Sequence, residues 1–417
     1  KTSKKVQALL LKKEKRNLKA FKTYNLWLVA CRKFQKNINQ TNQMRIIALF
    51  IILLLFSCTS TKIIDFSQRA AVSGKVTHTG VIDCFEEGLS YDGGTTMVYC
   101  ETSAALLMGD KILLGIDKPV PGEKLSPVFT VPVGLLEEKM IAREQLNYIT
   151  EAPFREMQKI EAFAKGTDSL IFATTAFDRI KPTPDWDSYN SLVSWSRTDF
   201  SDLQYVLPIQ EGDITSSKML RSSIQNALKN EAFPSGPPYF KIEAMAILPG
   251  NRMIFGVRET GKSYMDFTYG FTLLETTFEK TSLGITPAPV FKKVYEFKPE
   301  VNGRKLGISD LTYHAATNTL IVLTSYEAAG DENNKEMASY LWVLPVQRME
   351  RGDAPIQVMN GDQPLEIPHK GEGLCMLDDR TVFIIHDEDR KESHVDLDDK
   401  VITKKPNQTV FSIVKLK

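Results

Sequence analysis

From Ile63 onward, short apolar runs alternate with clusters of Gly, Pro, Asn and Asp, the pattern of strands joined by turns. Three of these runs open on nearly the same stretch: Lys159-Ile160-Glu161-Ala162-Phe163-Ala164, Lys241-Ile242-Glu243-Ala244-Met245-Ala246 and Lys370-Gly371-Glu372-Gly373-Leu374-Cys375. Each is Lys-x-Glu, a small residue, a large apolar residue and a small one, followed by a turn and a second apolar run. Weaker copies begin at Glu101 (Glu101-Thr102-Ser103-Ala104-Ala105-Leu106) and at Asp310 (Asp310-Leu311-Thr312). After Glu243 the turn is Pro249-Gly250-Asn251 and the return run Met253-Ile254-Phe255-Gly256-Val257; the other four acids are followed in the same way.

A two-stranded unit recurring about every 68 residues predicts an all-β chain folded as a β-propeller of five blades, or six if one is degenerate. Ring closure would pair Thr409–Val414 with a strand near Ala71–Val81. A β-sandwich is the structural alternative, but it leaves the five aligned hairpins unexplained. The longest interval holds the least strand-like sequence, a partly helical insertion around 180–240. There Thr215-Ser216 reads as a cap for a helix running to about Lys229, with Leu220, Ile224 and Leu228 on one face. That insertion is either packing decoration or a lid.

The length of 417 residues, 42% hydrophobic and 25% charged, is ordinary for a globular chain, but the formal net charge of +1 hides an asymmetry. Residues 1–43 carry twelve Lys and Arg against Glu14 alone, so the remainder is about −10 and a nucleic-acid-binding body is excluded. The first Met, Met44, is followed by Arg45 and the apolar run Ile46 to Phe56, then Ser57-Cys58. This is the layout of a secretory signal, too short to span a bilayer, which takes roughly 20 residues. Leu55-Phe56-Ser57-Cys58 resembles a bacterial lipobox. The expectation is therefore a signal peptide over 44–57, lipidation at Cys58, a tether over 58–70 and a propeller over 71–417. Residues 1–43 read as an upstream extension, with a basic membrane-surface helix as the alternative. The implied location is the bacterial cell envelope, lipid-anchored at the outer membrane or periplasmic side. Cys84 and Cys100 flank Gly93-Gly94 and either pair as a disulfide or stay as two buried thiols.

The hairpins also suggest where chemistry resides. In an antiparallel hairpin the start of the first strand lies beside the end of the second. Glu243 would meet Arg258, Glu372 would meet Asp387, Asp310 would meet Ser325 and Glu101 would meet Asp117. Glu161 would face Thr174 or Thr175, with Asp178 just beyond. Glu101, Glu161, Glu243, Asp310 and Glu372 would then ring one mouth of the channel, as ligands for Ca2+ or Mg2+ or as crowded acids with divided pKa values. Lys159, Lys241 and Lys370 would bind an anionic substrate, unless acids and lysines only tie blades together. Glu243, Glu372, Arg258, Asp387 and His386 form the candidate catalytic set, His386 being the best-placed histidine. Gly256–Ser263 matches the P-loop pattern, but the aromatic, β-prone residues that follow do not supply the helix it needs. The acid-rich stretches 386–389 and 396–399 read as solvated loops or calcium sites.

The blades at Lys241–Arg258 and Lys370–Asp387 resemble the "Glu-Gly-Leu-Ala" blades of the esterase-like phytase superfamily. More loosely they are similar to gluconolactonase/regucalcin-type propellers, which hold a metal in the channel. The resemblance implies a metal-dependent hydrolase of a phosphoester or lactone. Ala replaces the motif's Gly after Glu161 and Glu243, a departure from that family. The competing expectation is a cell-envelope binding propeller that takes a small molecule, glycan or protein through its loops, with Trp186 and Trp195 as its surface.

Overall fold

The computed structural model describes residues 71–417 apart from 167, 180–183, 282–283, 329–335, 388–393 and 398–399. The lipobox, Cys58 and everything before them lie outside the described residues, as does half of each acid-rich stretch (388–389 and 398–399).

Five antiparallel sheets follow one another in sequence order. Blade one is Thr102–Met108, Lys111–Ile116, Val128–Pro132 and Asn147–Tyr148. Blade two is Ile160–Lys165, Ile171–Thr175, Leu192–Trp195 and Gln204–Tyr205. Blade three is Tyr239–Leu248, Arg252–Ser263, Asp266–Thr281 and Lys292–Phe297. Blade four is Gly307–His314, Thr319–Glu327, Met337–Pro345 and Ile356–Asn360. Blade five takes Gly371–Met376, Thr381–His386 and Gln408–Leu416 from the end of the chain and Val72–Asp83 from its start. The first strand of each blade lies against the first strand of the next, and the fifth against the first. The fold is a five-bladed β-propeller, with no sixth blade among the described residues. It closes where the sequence predicted, through the ladder from Gly74 opposite Leu416 to Asp83 opposite Gln408.

The core is five apolar layers, one between each pair of neighbouring blades. Middle strands are therefore buried on both faces, which is why Leu320-Ile321-Val322-Leu323 and Val382-Phe383-Ile384-Ile385 read as continuous apolar runs rather than alternating ones. Cys84 and Cys100 are joined in a disulfide and Cys375 is a buried free thiol.

Every innermost strand carries a bulge, one extra residue relative to its partner, at Ser103, Glu161, Glu243, Ser309 and Glu372. A bulge re-aims the extra side chain, and here it corrects the sequence alignment. Ser103, not Glu101, and Ser309, not Asp310, stand where Glu161, Glu243 and Glu372 stand. Glu101 falls in the register of the three lysines, and Asp310 in that of the small residue. Aligning on the acids slid blade one by two residues and blade four by one.

The small residue after the bulge has a steric cause. A Cβ on Gly373 would lie 2.8–2.9 Å from the backbone of Ala104 and Ala105, where blade five meets blade one. Gly373→Ala is expected to cost about 1–3 kcal/mol by overpacking, measured by urea unfolding; an unchanged midpoint would show that the seam can give.

Of the insertion read over 180–240, Leu192–Trp195 and Gln204–Tyr205 are the outer strands of blade two, and the helical part is decoration. Its helix, Met219–Ala227, buries Leu220 and Ile224, with Leu228 just beyond, in the layer between blades two and three. Thr215 and Ser216 lie in a short strand rather than capping the helix, and the hydroxyl of Ser217 donates to the Val206 carbonyl at 2.6 Å, tying the segment down. Trp195 is 1% exposed and packs edge-on against Phe154, so it belongs to the core and not to a ligand surface. The P-loop pattern lies wholly within the strand Arg252–Ser263, where no helix N-terminus faces a phosphate.

Candidate functional site: the charged end of the channel

The innermost strands begin at one end of the channel, and the bulges place charged side chains there on neighbouring blades. In blade two, Lys159 Nζ is 2.7 Å from Asp178 Oδ2 and 3.9 Å from Glu161 Oε1. Lys241 of blade three pairs with its own Glu243 and reaches across to Glu161 at 3.4 Å. In blade five, Lys370 lies 3.1 Å from Glu372 and 3.6 Å from Glu327 of blade four. Blade one inverts the pattern: Glu101 occupies the lysine register, and Lys118, from the end of the next strand, pairs with it at 2.6 Å and with Asp117 at 2.9 Å.

Blade four has neither the lysine nor the glutamate, and Arg258 of blade three explains why. It is 2% exposed and donates to Ser309 Oγ at 2.8 Å, Ser325 Oγ at 3.0 Å and the Ile308 carbonyl at 3.2 Å. Glu243 lies 4.0 Å and Glu259 3.7 Å from its Nε, and Tyr269 lies under the guanidinium. A Cβ on Gly307, the lysine register of this blade, would come within 2.7 Å of Arg258 Cγ. The arginine thus fills the space that a lysine and a glutamate fill in other blades.

Glu243 and Glu372 belong to blades that are not neighbours, yet their buried carboxyl groups act on each other's ionisation across the channel. Burial, reinforced by the charge on Glu243, pushes the Glu372 pKa well above the usual carboxylate range. Burial works against ionising Glu243 too, but Lys241 and Arg258 outweigh it and hold that pKa far down. Glu161 is raised, chiefly by burial. The surroundings therefore favour the proton on Glu372 and the charge on Glu243.

Two candidates have other duties. Asp310 accepts from the amides of Leu311 at 2.7 Å and Leu374 at 2.8 Å, stitching blade four to blade five, so both its oxygens serve backbone rather than a ligand. His386 places Nε2 2.9 Å from Ser412 Oγ of the next strand in its own blade, and its ring is 5.0 Å from that of His369. These contacts give His386 a structural place in blade five. The five acids named from sequence are thus not one coordination shell.

A different trio meets the geometric requirement for a metal. Carboxylate oxygens of Glu101, Asp117 and Asp387 lie within 4.8 Å of one another, and all three residues are buried. Oxygen donors of this kind suit a hard cation such as Ca2+ or Mg2+. Lys118 lies against two of the three, so a metal there would have to displace its ammonium group. Asp117 and Asp387 are the strand-end partners read from sequence. Lys118, Glu259 and Glu327 were missed, although each lies one or two residues past the strand-end partner read from sequence (Asp117, Arg258 and Ser325).

Counted over these contacts, nine carboxylates (Glu101, Asp117, Glu161, Asp178, Glu243, Glu259, Glu327, Glu372, Asp387) face five cations, with Arg179 joining Asp178 at the rim. Buried charge must be paired or neutralised. Protons supply part of that neutralisation, since burial raises the pKa values of Glu372 and Glu161. The opposite end of the channel is a cup of about 240 Å³ lined by residues such as Leu106, Ala164, Met245 and Cys375.

No family model matches the chain, and no curated protein does. Among solved structures it is similar to a glycosyl hydrolase from Bacteroides ovatus at 10% identity and TM-score 0.35, over 82% of this chain and 90% of that one. A GH43 β-1,3-galactosidase aligns at 8% identity and TM-score 0.36, over 79% and 93%. A luciferin-regenerating enzyme aligns at 6% identity and TM-score 0.34, over 76% and 94%. Likenesses this distant carry no functional argument, so the reading of function rests on the site itself.

Proposed function

We propose that the charged end of the channel binds a hydroxyl-bearing ligand, with Glu101, Asp117 and Asp387 able to take a divalent cation beside it. The observation that carries this reading is the unbroken run Lys159–Glu161–Lys241–Glu243–Arg258, in which donors and acceptors alternate across two blades. A sugar or polyol hydroxyl both donates and accepts, and such a run satisfies both demands. The protein would do this as a lipid-anchored propeller of the cell envelope. The Cys84–Cys100 disulfide supports an oxidising compartment, and the lipobox supports an anchor at Cys58.

Calorimetric titration with a panel of oligosaccharides, with and without Ca2+ or Mg2+, tests the reading. Lys241→Met is expected to weaken the best ligand at least tenfold, about 1.4 kcal/mol. Affinity unmoved by Lys241→Met would place the ligand elsewhere.

The split protonation of Glu243 and Glu372 favours a second reading, a hydrolase. Two carboxyl groups whose environments drive their pKa values apart are the arrangement of an acid and its conjugate partner. A phosphoester or lactone, as in the phytase-like or gluconolactonase-like propellers, is the substrate class this reading takes. Turnover abolished by Glu372→Gln would separate it from binding alone.

A further inference from the structure

At the opposite end of blades one and two, around residues 108–111, Lys165, Ser169, Ile171 and 196–200, lies a cleft of about 440 Å³. That is within the roughly 300–1,000 Å³ of small-molecule sites. It shares no residue with the charged end. Ile171 and Phe200 give it apolar wall, Ser196 adds a polar group, and the exposed Lys111 and Lys165 line it; of the described lining residues only Asp110 is acidic.

Thr130 is the informative residue. It is 5% exposed, lines the cleft, and its Oγ1 has no hydrogen-bond partner among the described residues. Its strand position does not need a hydroxyl, because Thr130 stands opposite Leu113 and Asn147 through the backbone alone. A buried orphan of this kind costs about 1–3 kcal/mol relative to a satisfied one, and valine would fill the same volume without it. A ligand hydroxyl would satisfy it.

We propose that this cleft binds a small hydroxylated carboxylate of the sugar-acid class. The apolar wall takes the C–H face of the ring, the Thr130 hydroxyl meets a ring hydroxyl, and Lys111 and Lys165 hold the carboxylate. An uncharged sugar would leave both ammonium groups unused.

D-glucuronate and D-glucose, titrated separately into the full chain by calorimetry, test the inference. Glucuronate is expected to bind at least tenfold more tightly than glucose. Thr130→Val and Lys165→Gln should each weaken glucuronate about tenfold. Without ligand, Thr130→Val should match or exceed the native melting temperature, since it removes an unsatisfied hydroxyl. Absent glucuronate binding, equal affinity for glucose, or equal affinity of Thr130→Val and native protein would overturn the proposal. So would a Thr130→Val protein that melts lower without ligand, because its hydroxyl would then already have a partner.

Discussion

Replacing Arg258 with methionine is expected to cost the fold about 3–5 kcal/mol, the usual penalty for removing one partner of a buried charge network. Methionine keeps most of the aliphatic volume, so lost packing is not the main cause. The guanidinium is buried, donates to two serine hydroxyls and a carbonyl of blade four, and helps hold Glu243 ionised. Without it, Glu243 must take up a proton or stay charged with Lys241 alone. Against a total stability of about 5–15 kcal/mol for a single domain, such a loss is visible in a urea curve. Arg258→Lys should recover little, because one ammonium cannot reproduce a planar fork reaching Ser309, Ser325 and Ile308. Ser309→Ala and Ser325→Ala should each cost only about 1 kcal/mol. An Arg258→Met protein within 1 kcal/mol of the native one would show that the channel's charge is already neutralised by other means.

Arg258 also shows what could be read from the chain and what could not. Counting fifteen residues past Glu243 placed it at the right end of the right strand, because hairpin length is a local quantity. Its service to blade four was invisible, since that contact joins residues 50 and 67 positions apart. The lysine-to-glycine change at Gly307, in a blade that otherwise keeps the repeat, was the signal that something else fills that space. The blade count and the closure of the ring were legible because five apolar hairpins repeat at near-regular spacing. The bulge was not. It shifts register by one residue within a strand without changing the apolar pattern, so aligning acid with acid placed Glu101 and Asp310 one or two positions from their equivalents. Trp195 illustrates another limit: it ends a four-residue strand, Leu192–Trp195, too short to show the periodicity that would reveal its covered side.

The second large expectation concerns pH. Glu372 and Glu161 have folded-state pKa values raised above the ordinary 4.5, chiefly by burial. Above pH 4.5 the unfolded chain has released protons that the folded chain still holds. Their contribution to stability is therefore complete below about pH 4.5 and is lost as pH rises toward the folded values. Each group sets a limiting slope of about 1.4 kcal/mol per pH unit while its proton is held. Glu243 runs the other way: its pKa is depressed, so its contribution is present above pH 4.5 and is lost on further acidification. Stability should thus decline from pH 5 to pH 8, the reverse of a chain whose carboxylates are all paired. Glu372→Gln isolates the effect, because the amide imitates the uncharged, protonated acid at the same volume. Relative to the native protein it should be nearly neutral at pH 5 and stabilising at pH 8, as read from urea midpoints across that range. A variant equally destabilised at both pH values would mean that Glu372 is ionised in the folded state. The proton would then have to sit elsewhere, or a cation would have to take its place.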